Sequence, residues 1–93
     1  MRVIWTPAAR QDREDVYDYL ASEGHSAAER MDARFSDAAA SLETLAHRGR
    51  PGVVPGTREL LPHASYRLIY EVRDDVVWLL ALVHTSRRWP PVT

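Results

Sequence analysis

The hydrophobic period of this chain changes once, and the change falls on a single glycine- and proline-rich stretch. Before it, Ala28, Met31, Phe35, Ala38, Leu42 and Leu45 recur at gaps of three and four, the spacing of one face of a helix. After it, Tyr66, Leu68, Tyr70 and Val72 alternate with Arg67, Ile69, Glu71 and Arg73, the period of a strand. Between them, Arg48 to Gly56 holds three Gly and two Pro within nine residues and predicts a loop. A helical first half and a stranded second half in 93 residues leave room for one α+β domain and not for two.

Local signals divide the two halves further. Val3–Trp5 reads as a short strand. Thr6 is a suitable cap for a helix over Pro7–Ser22, because Pro7 fits a first turn whose N–H has no partner anyway. Gly24 stops that helix. Ser26 followed three places later by Glu29 has the form of a capping box, so a second helix is expected from there to about His47 or Arg48. Thr57–Leu61 and Ser65–Arg73 read as strands, Asp74-Asp75 as a tight hairpin turn, and Val76–Val83 as a strand apolar on both faces. Arg87-Arg88-Trp89-Pro90-Pro91 cannot continue a sheet, which makes residues 86–93 a C-terminal tail. The expected architecture is β-α-α-β-β-β: an N-terminal helical hairpin packed on one face of a small antiparallel sheet, in a single domain over 1–93.

Two helices cover only one side of a sheet. An apolar central strand therefore implies apolar surface on the other side, which either receives a partner or is covered by the 48–56 loop and the tail.

Charge divides in the same way as structure. Residues 1–47 carry five Arg and nine acids, and residues 48–93 seven Arg and four acids; the overall charge is −1. A near-neutral chain is a poor non-specific binder of nucleic acid, and any anion-facing surface belongs to the second half. Every cationic side chain is Arg; Lys is absent. Cys is absent too, which excludes disulfides and thiolate metal sites. The apolar start breaks at Pro7, too early for the core of a signal peptide, and no apolar run approaches the roughly 20 residues of a membrane span. A cytoplasmic protein without membrane association is expected. The four His, at positions 25, 47, 63 and 84, have no paired metal-ligand spacing, and neither a phosphate-binding glycine loop nor a nucleophile elbow is present. No metal or cofactor is expected.

Taken in order, Trp5-Thr6-Pro7-x-Ala9, Gly49-Arg50-Pro51-Gly52, Gly56-Thr57-Arg58-Glu59-Leu60, Tyr66-Arg67-Leu68-Ile69-Tyr70-Glu71-Val72 and His84-x-x-Arg87-x-Trp89-Pro90 resemble the ParE/RelE toxin family over residues 3–90. The resemblance implies the toxin of a type II toxin–antitoxin system, whose cognate antitoxin wraps it with a C-terminal segment. It also implies one of two activities: poisoning of DNA gyrase, as in ParE-like toxins, or cleavage of mRNA on the ribosome, as in RelE-like toxins. A non-toxic module that only binds an antitoxin is the third reading.

Metal-free RNA cleavage needs a base for the 2′-OH, cations for the phosphorane and an acid for the leaving oxygen. Arg58, Arg67, His84 and Arg87 are the candidates, with Tyr70 as a further acid. Their competing roles are structural: ion pairing of Arg58 with helix carboxylates, a solvated face for Arg67, and tail fixation by His84. Arg50, Tyr70, Arg88 and Trp89 are candidate contacts for a target or antitoxin. RelE-like enzymes are rich in Lys and basic overall. A Lys-free, slightly acidic chain therefore leans toward the gyrase mode.

Overall fold

The computed structural model describes residues 1–91; the last two residues of the expected tail lie outside them. Its elements are β1 (Arg2–Trp5), α1 (Pro7–Ala21), α2 (His25–Ser41), β2 (Arg50–Pro51), β3 (Arg58–His63), β4 (Tyr66–Arg73) and β5 (Val76–His84). The β-α-α-β-β-β order is as expected, with the two-residue β2 added inside the expected loop. Thr6 caps α1 by accepting the Ala9 N–H at 3.3 Å, and Pro7 occupies its first turn.

The second helix departs from expectation at both ends. It starts at His25, after Gly24 at φ 157°, so Ser26 lies inside the helix and makes no capping box. Glycine reaches that φ without the steric cost a side chain would meet, and the chain turns into the helix one residue early. At the other end the spiral tightens after Ser41. Leu42 and Glu43 donate three residues back, to Ala39 and Ala40, a 3₁₀-type ending. Leu42 stays fully buried, whereas Leu45, the last member of the apolar stripe, is 58% exposed.

The sheet has order β1-β5-β4-β3-β2. β2, β3, β4 and β5 pair antiparallel, but β1 joins β5 in parallel, from Arg2↔Val76 to Trp5↔Leu79. The sheet is therefore mixed rather than antiparallel. Parallel neighbours need a long connection, and everything from α1 to β4 serves as one. The core lies between the hairpin and one sheet face, built from Phe35 and Ala39 of α2 and Leu42 just beyond its end against Tyr66, Leu68, Tyr70, Val77, Leu79 and Leu82. Arg13 ties three elements together. Its guanidinium meets Asp32 of α2 at 2.6 and 2.9 Å and lies 4.8 Å from the centre of the Trp5 ring.

Asp74 and Asp75 both take positive φ, 54° and 61°, the geometry of a type I′ hairpin turn, which favours Gly at the second position. Asp75→Gly is expected to stabilise the fold by up to about 1 kcal/mol, read as a higher midpoint in urea. A lower midpoint would contradict this account of the turn.

Candidate functional site

Alternation decides which candidate side chains can meet. On β4, Tyr66, Leu68 and Tyr70 belong to the core and face the helices, so Arg67, Ile69 and Glu71 face the other way. Cross-strand partners share a face. Arg58 pairs with Tyr70 and His84 with Tyr66, which puts both on the helix side. Arg67 pairs with Val83 on the open side. The Arg58–Arg67–His84 set is thus divided between two faces of the sheet and does not converge.

Each member has a separate task. Arg58 donates to the carbonyls of His47 and Gly49 at 3.1 and 2.8 Å; it holds the loop after α2 and meets no helix carboxylate. Tyr70 is fully buried, and its hydroxyl accepts the Gly49 N–H at 2.9 Å. The structure therefore corrects the reading of Tyr70 as a contact or a catalytic acid: no partner reaches it in the folded chain. Gly49 passes so close that a Cβ there would lie 2.7 Å from the Tyr70 hydroxyl.

His84 is exposed, and its Nδ1 accepts the Ser86 N–H at 3.1 Å and lies 2.7 Å from the Ser86 hydroxyl. With Nδ1 as acceptor, the neutral ring carries its proton on Nε2. His84 also stands edge-on to Tyr66, 5.5 Å between ring centres. This is the tail-fixing role: the chain turns at Thr85-Ser86, with the Thr85 N–H on the Ser65 carbonyl at 2.8 Å.

On the open face Arg67, read from sequence as either a catalytic cation or a solvated face residue, is largely enclosed. The Arg67 side chain is 11% exposed and meets the Glu59 carboxylate at 3.2 Å; Glu59 is 5% exposed, and Arg50, 64% exposed, reaches the same oxygen at 3.4 Å. The other Arg67 terminal nitrogen donates to the Arg87 carbonyl. This contact brings the tail onto the open face. Around it, Ile69 and Ala81 are buried although they face away from the helices, and Arg73 lies 5.5 Å from the centre of the Trp78 ring. Arginine stems cover apolar surface while their heads remain polar, so Arg67 and Arg73, with Arg50 reaching in from the 48–56 loop, shield part of this face. Arg67 Nε and Trp78 Nε1 are buried there without a partner among the described residues.

Arg50, Arg87 and Arg88 keep exposed side chains, and Trp89 is half-buried. Among the described residues no cluster of three His, Asp or Glu groups could hold a metal ion, and no helix is long and apolar enough to cross a membrane.

Two acidic residues were not singled out by sequence. Glu59 is one. The other is Asp12 of α1, whose carboxylate accepts the Leu82 N–H at 3.0 Å. Its pKa is raised, first by burial and then by the neighbouring Asp15 charge, with the Leu82 hydrogen bond opposing. A raised carboxyl pKa means the native state holds a proton more readily than the unfolded chain, so ionised Asp12 lowers stability above that window and the loss disappears as pH falls below about 3.8. Asp12→Asn keeps an acceptor for Leu82 without the charge. Its melting temperature is expected to exceed the parent's at pH 7, with the gap closing toward pH 4; a gap that widens on acidification would contradict this.

The same arrangement of a helical hairpin on a small sheet is found in solved structures. The chain aligns at TM-score 0.83 and 24% identity with a chain of the chromosomal ParDE system from P. aeruginosa, covering 90% of this chain and 95% of that one. A YoeB/ParE toxin from Agrobacterium tumefaciens aligns at TM-score 0.65 and 16% identity, covering 90% and 98%. The chain belongs to the ParE toxin family: the model for the ParE toxin of the type II parDE system matches residues 3–89. It is 33% identical over 92 residues to the protein Y4kP of Sinorhizobium fredii, covering 98% of this chain and 95% of that protein. It is 34% identical over 86 residues to toxin RelE2 of Caulobacter vibrioides, covering 92% and 97%.

Proposed function

We propose that this ParE-family toxin arrests growth by poisoning DNA gyrase, without cutting RNA, and that a cognate antitoxin neutralises it in the cytoplasm. The observation that carries this reading is the condition of Arg67. A ribonuclease of this fold needs uncompensated cations converging on one phosphate. Here Arg67 is paired with Glu59 and tied to the tail, Arg58 holds backbone carbonyls, and His84 belongs to the opposite face. What remains accessible, the exposed Arg50, Arg87 and Arg88 and the half-buried Trp89, suits a protein surface; Arg and Trp are enriched where protein interfaces concentrate their binding energy.

The test is to induce the chain without antitoxin in growing bacteria, map new RNA 5′ ends, and assay the purified protein against gyrase supercoiling. Arrest with inhibited supercoiling and no translation-dependent RNA ends is expected. New ends inside reading frames with supercoiling intact would overturn the reading in favour of ribosome-dependent mRNA cleavage, the mode for which Arg58, Arg67, His84 and Arg87 are the candidates. His84→Ala, at an exposed position, separates the two modes again: it leaves arrest unchanged under the gyrase mode and abolishes it under the ribonuclease mode. Absence of arrest for the parent chain would favour a non-toxic antitoxin-binding module.

A further inference from the structure

Tyr66 stands in a row of three rings. It pairs with His63 of β3 on one side and with His84 of β5 on the other, so all three share one face of the sheet. A bulge sets this register. Ile69 pairs with Ala81 while Tyr70 pairs with Leu79, which makes Leu80 an extra residue; without it Val83, not His84, would stand opposite Tyr66. The ring centres are 6.5 Å apart toward His63 and 5.5 Å toward His84. Each histidine ends its strand and binds the turn that follows in the same way. His63 Nδ1 accepts the Ser65 N–H at 3.0 Å, and His84 Nδ1 accepts the Ser86 N–H at 3.1 Å. The two turns are joined by the Thr85 N–H on the Ser65 carbonyl.

Nδ1 accepts only in neutral imidazole, because both ring nitrogens of the cation are donors. Protonation therefore sets a donor against each of these N–H groups. Turning the ring over brings a carbon to the place of Nδ1 and restores no acceptor. The Ser86 hydroxyl, 2.7 Å from His84 Nδ1, can turn to accept from it, but the Ser86 N–H then lacks a partner. Charge adds a second effect. Asp12, Asp15 and Tyr19 of α1 and Arg87 and Arg88 of the tail line the same groove as His84. An imidazolium there is drawn toward the acids of the helix and repelled by the arginines of the tail. Beside His63, Arg34 of α2 donates to the Pro62 carbonyl and opposes a second positive charge. The two imidazolium rings also oppose each other across Tyr66.

We propose that His63 and His84 form a proton-operated latch for the C-terminal segment. Neutral, they hold the two turns together and keep Thr85–Pro91 in place; doubly protonated, they release it. Release sets in as pH falls from about 8 to about 5, the range in which imidazole gains its charge. The closed form binds fewer protons than the open one, so rising pH favours it. An uncharged residue at one of the two positions removes an acceptor but adds no charge, and the bonds at Thr85 and at the Arg87 carbonyl still retain the tail. The latch governs how Arg87, Arg88 and Trp89 are presented; that consequence alone rests on the target-contact reading above.

The test is amide exchange and heteronuclear NMR on the full chain at about pH 7.5 and about pH 5.5, on either side of the imidazole titration. The control is the double variant His63→Asn with His84→Asn. Asn accepts the N–H two residues on through its side-chain oxygen and does not titrate. In the parent, the Ser65 and Ser86 amides are expected to exchange at least about fivefold faster at the lower pH relative to their intrinsic rates, the scale of one lost hydrogen bond. The Arg87–Trp89 backbone becomes more mobile in the same samples, the buried Leu79 amide keeps its protection, and the double variant shows none of these changes. Equal changes in parent and double variant, no change in the parent, equal acceleration at Leu79, or a His84 ring that carries its proton on Nδ1 at the higher pH would each overturn the latch. The readout is structural, so its failure leaves the gyrase reading intact, and absence of growth arrest leaves the latch standing.

Discussion

Replacing Glu59 with Ala is expected to destabilise the fold by about 3–5 kcal/mol, the usual result of removing one partner from a buried ion pair. The cause is what the change leaves behind. Arg67 is 11% exposed and already has one buried nitrogen without a partner; without Glu59 its charge has no counter-ion. Arg50, more than half exposed, can turn to water and adds little. Glu59→Gln is the informative control. It retains one acceptor oxygen without the charge, so its loss lies between the parent and the Ala variant. Exchanging both partners for apolar residues of similar size, Glu59→Leu with Arg67→Met, restores most of the loss, since no buried charge remains. Denaturant unfolding measures all four proteins. An Ala variant within about 1 kcal/mol of the parent, the range of a surface pair, would sink the account of Glu59 as a buried counter-ion.

Phe35→Ala is expected to cost a similar amount, about 3–5 kcal/mol, through the cavity it opens. Phe35 is 1% exposed and meets the edge of Tyr66 at 5.3 Å between ring centres. Tyr66 in turn meets His84, so Phe35 supports the strand end from which the tail departs. For a domain of this size that loss lowers the melting temperature by well over 10 °C, at roughly 4–8 °C per kcal/mol. Phe35→Leu, which keeps most of the volume, costs markedly less. Equal losses for the Ala and Leu variants would indicate that ring stacking on Tyr66, rather than filled volume, is what matters.

The sequence carried the elements more clearly than their meeting points. The change of period between Leu45 and Tyr66 correctly separated helices from strands, and Asp74-Asp75 marked its turn. The capping box at Ser26 was a local signal overruled by Gly24, whose backbone freedom starts the helix earlier. The apolar stripe ran through Leu42 to Leu45 without revealing that the helix tightens between them, because a 3₁₀ ending preserves nearly the same spacing. The direction of β1 was illegible because parallel pairing joins the two ends of the chain, and no local pattern records a partner that distant. The candidate site suffered from the same limit. Arg58, Arg67 and His84 are the right residue types for phosphate chemistry, but which face each takes depends on cross-strand register. In an unbroken run of apolar residues the extra residue, Leu80, has no signature. Glu59 was visible only as part of a motif; its burial between two arginines needs β2, β3 and β4 in place.

The parallel pairing of β1 with β5 also sets the order of events during synthesis. β1 precedes the other strands in the chain, and its one partner among the described residues, β5, follows them all. Until Val76–His84 emerges, Arg2–Trp5 has no neighbour, the core lacks Val77, Leu79 and Leu82, and the hairpin has no complete sheet to pack on. Pairing across so much sequence is also intrinsically slow. The finished surface of this domain therefore forms only once β5 has closed the sheet.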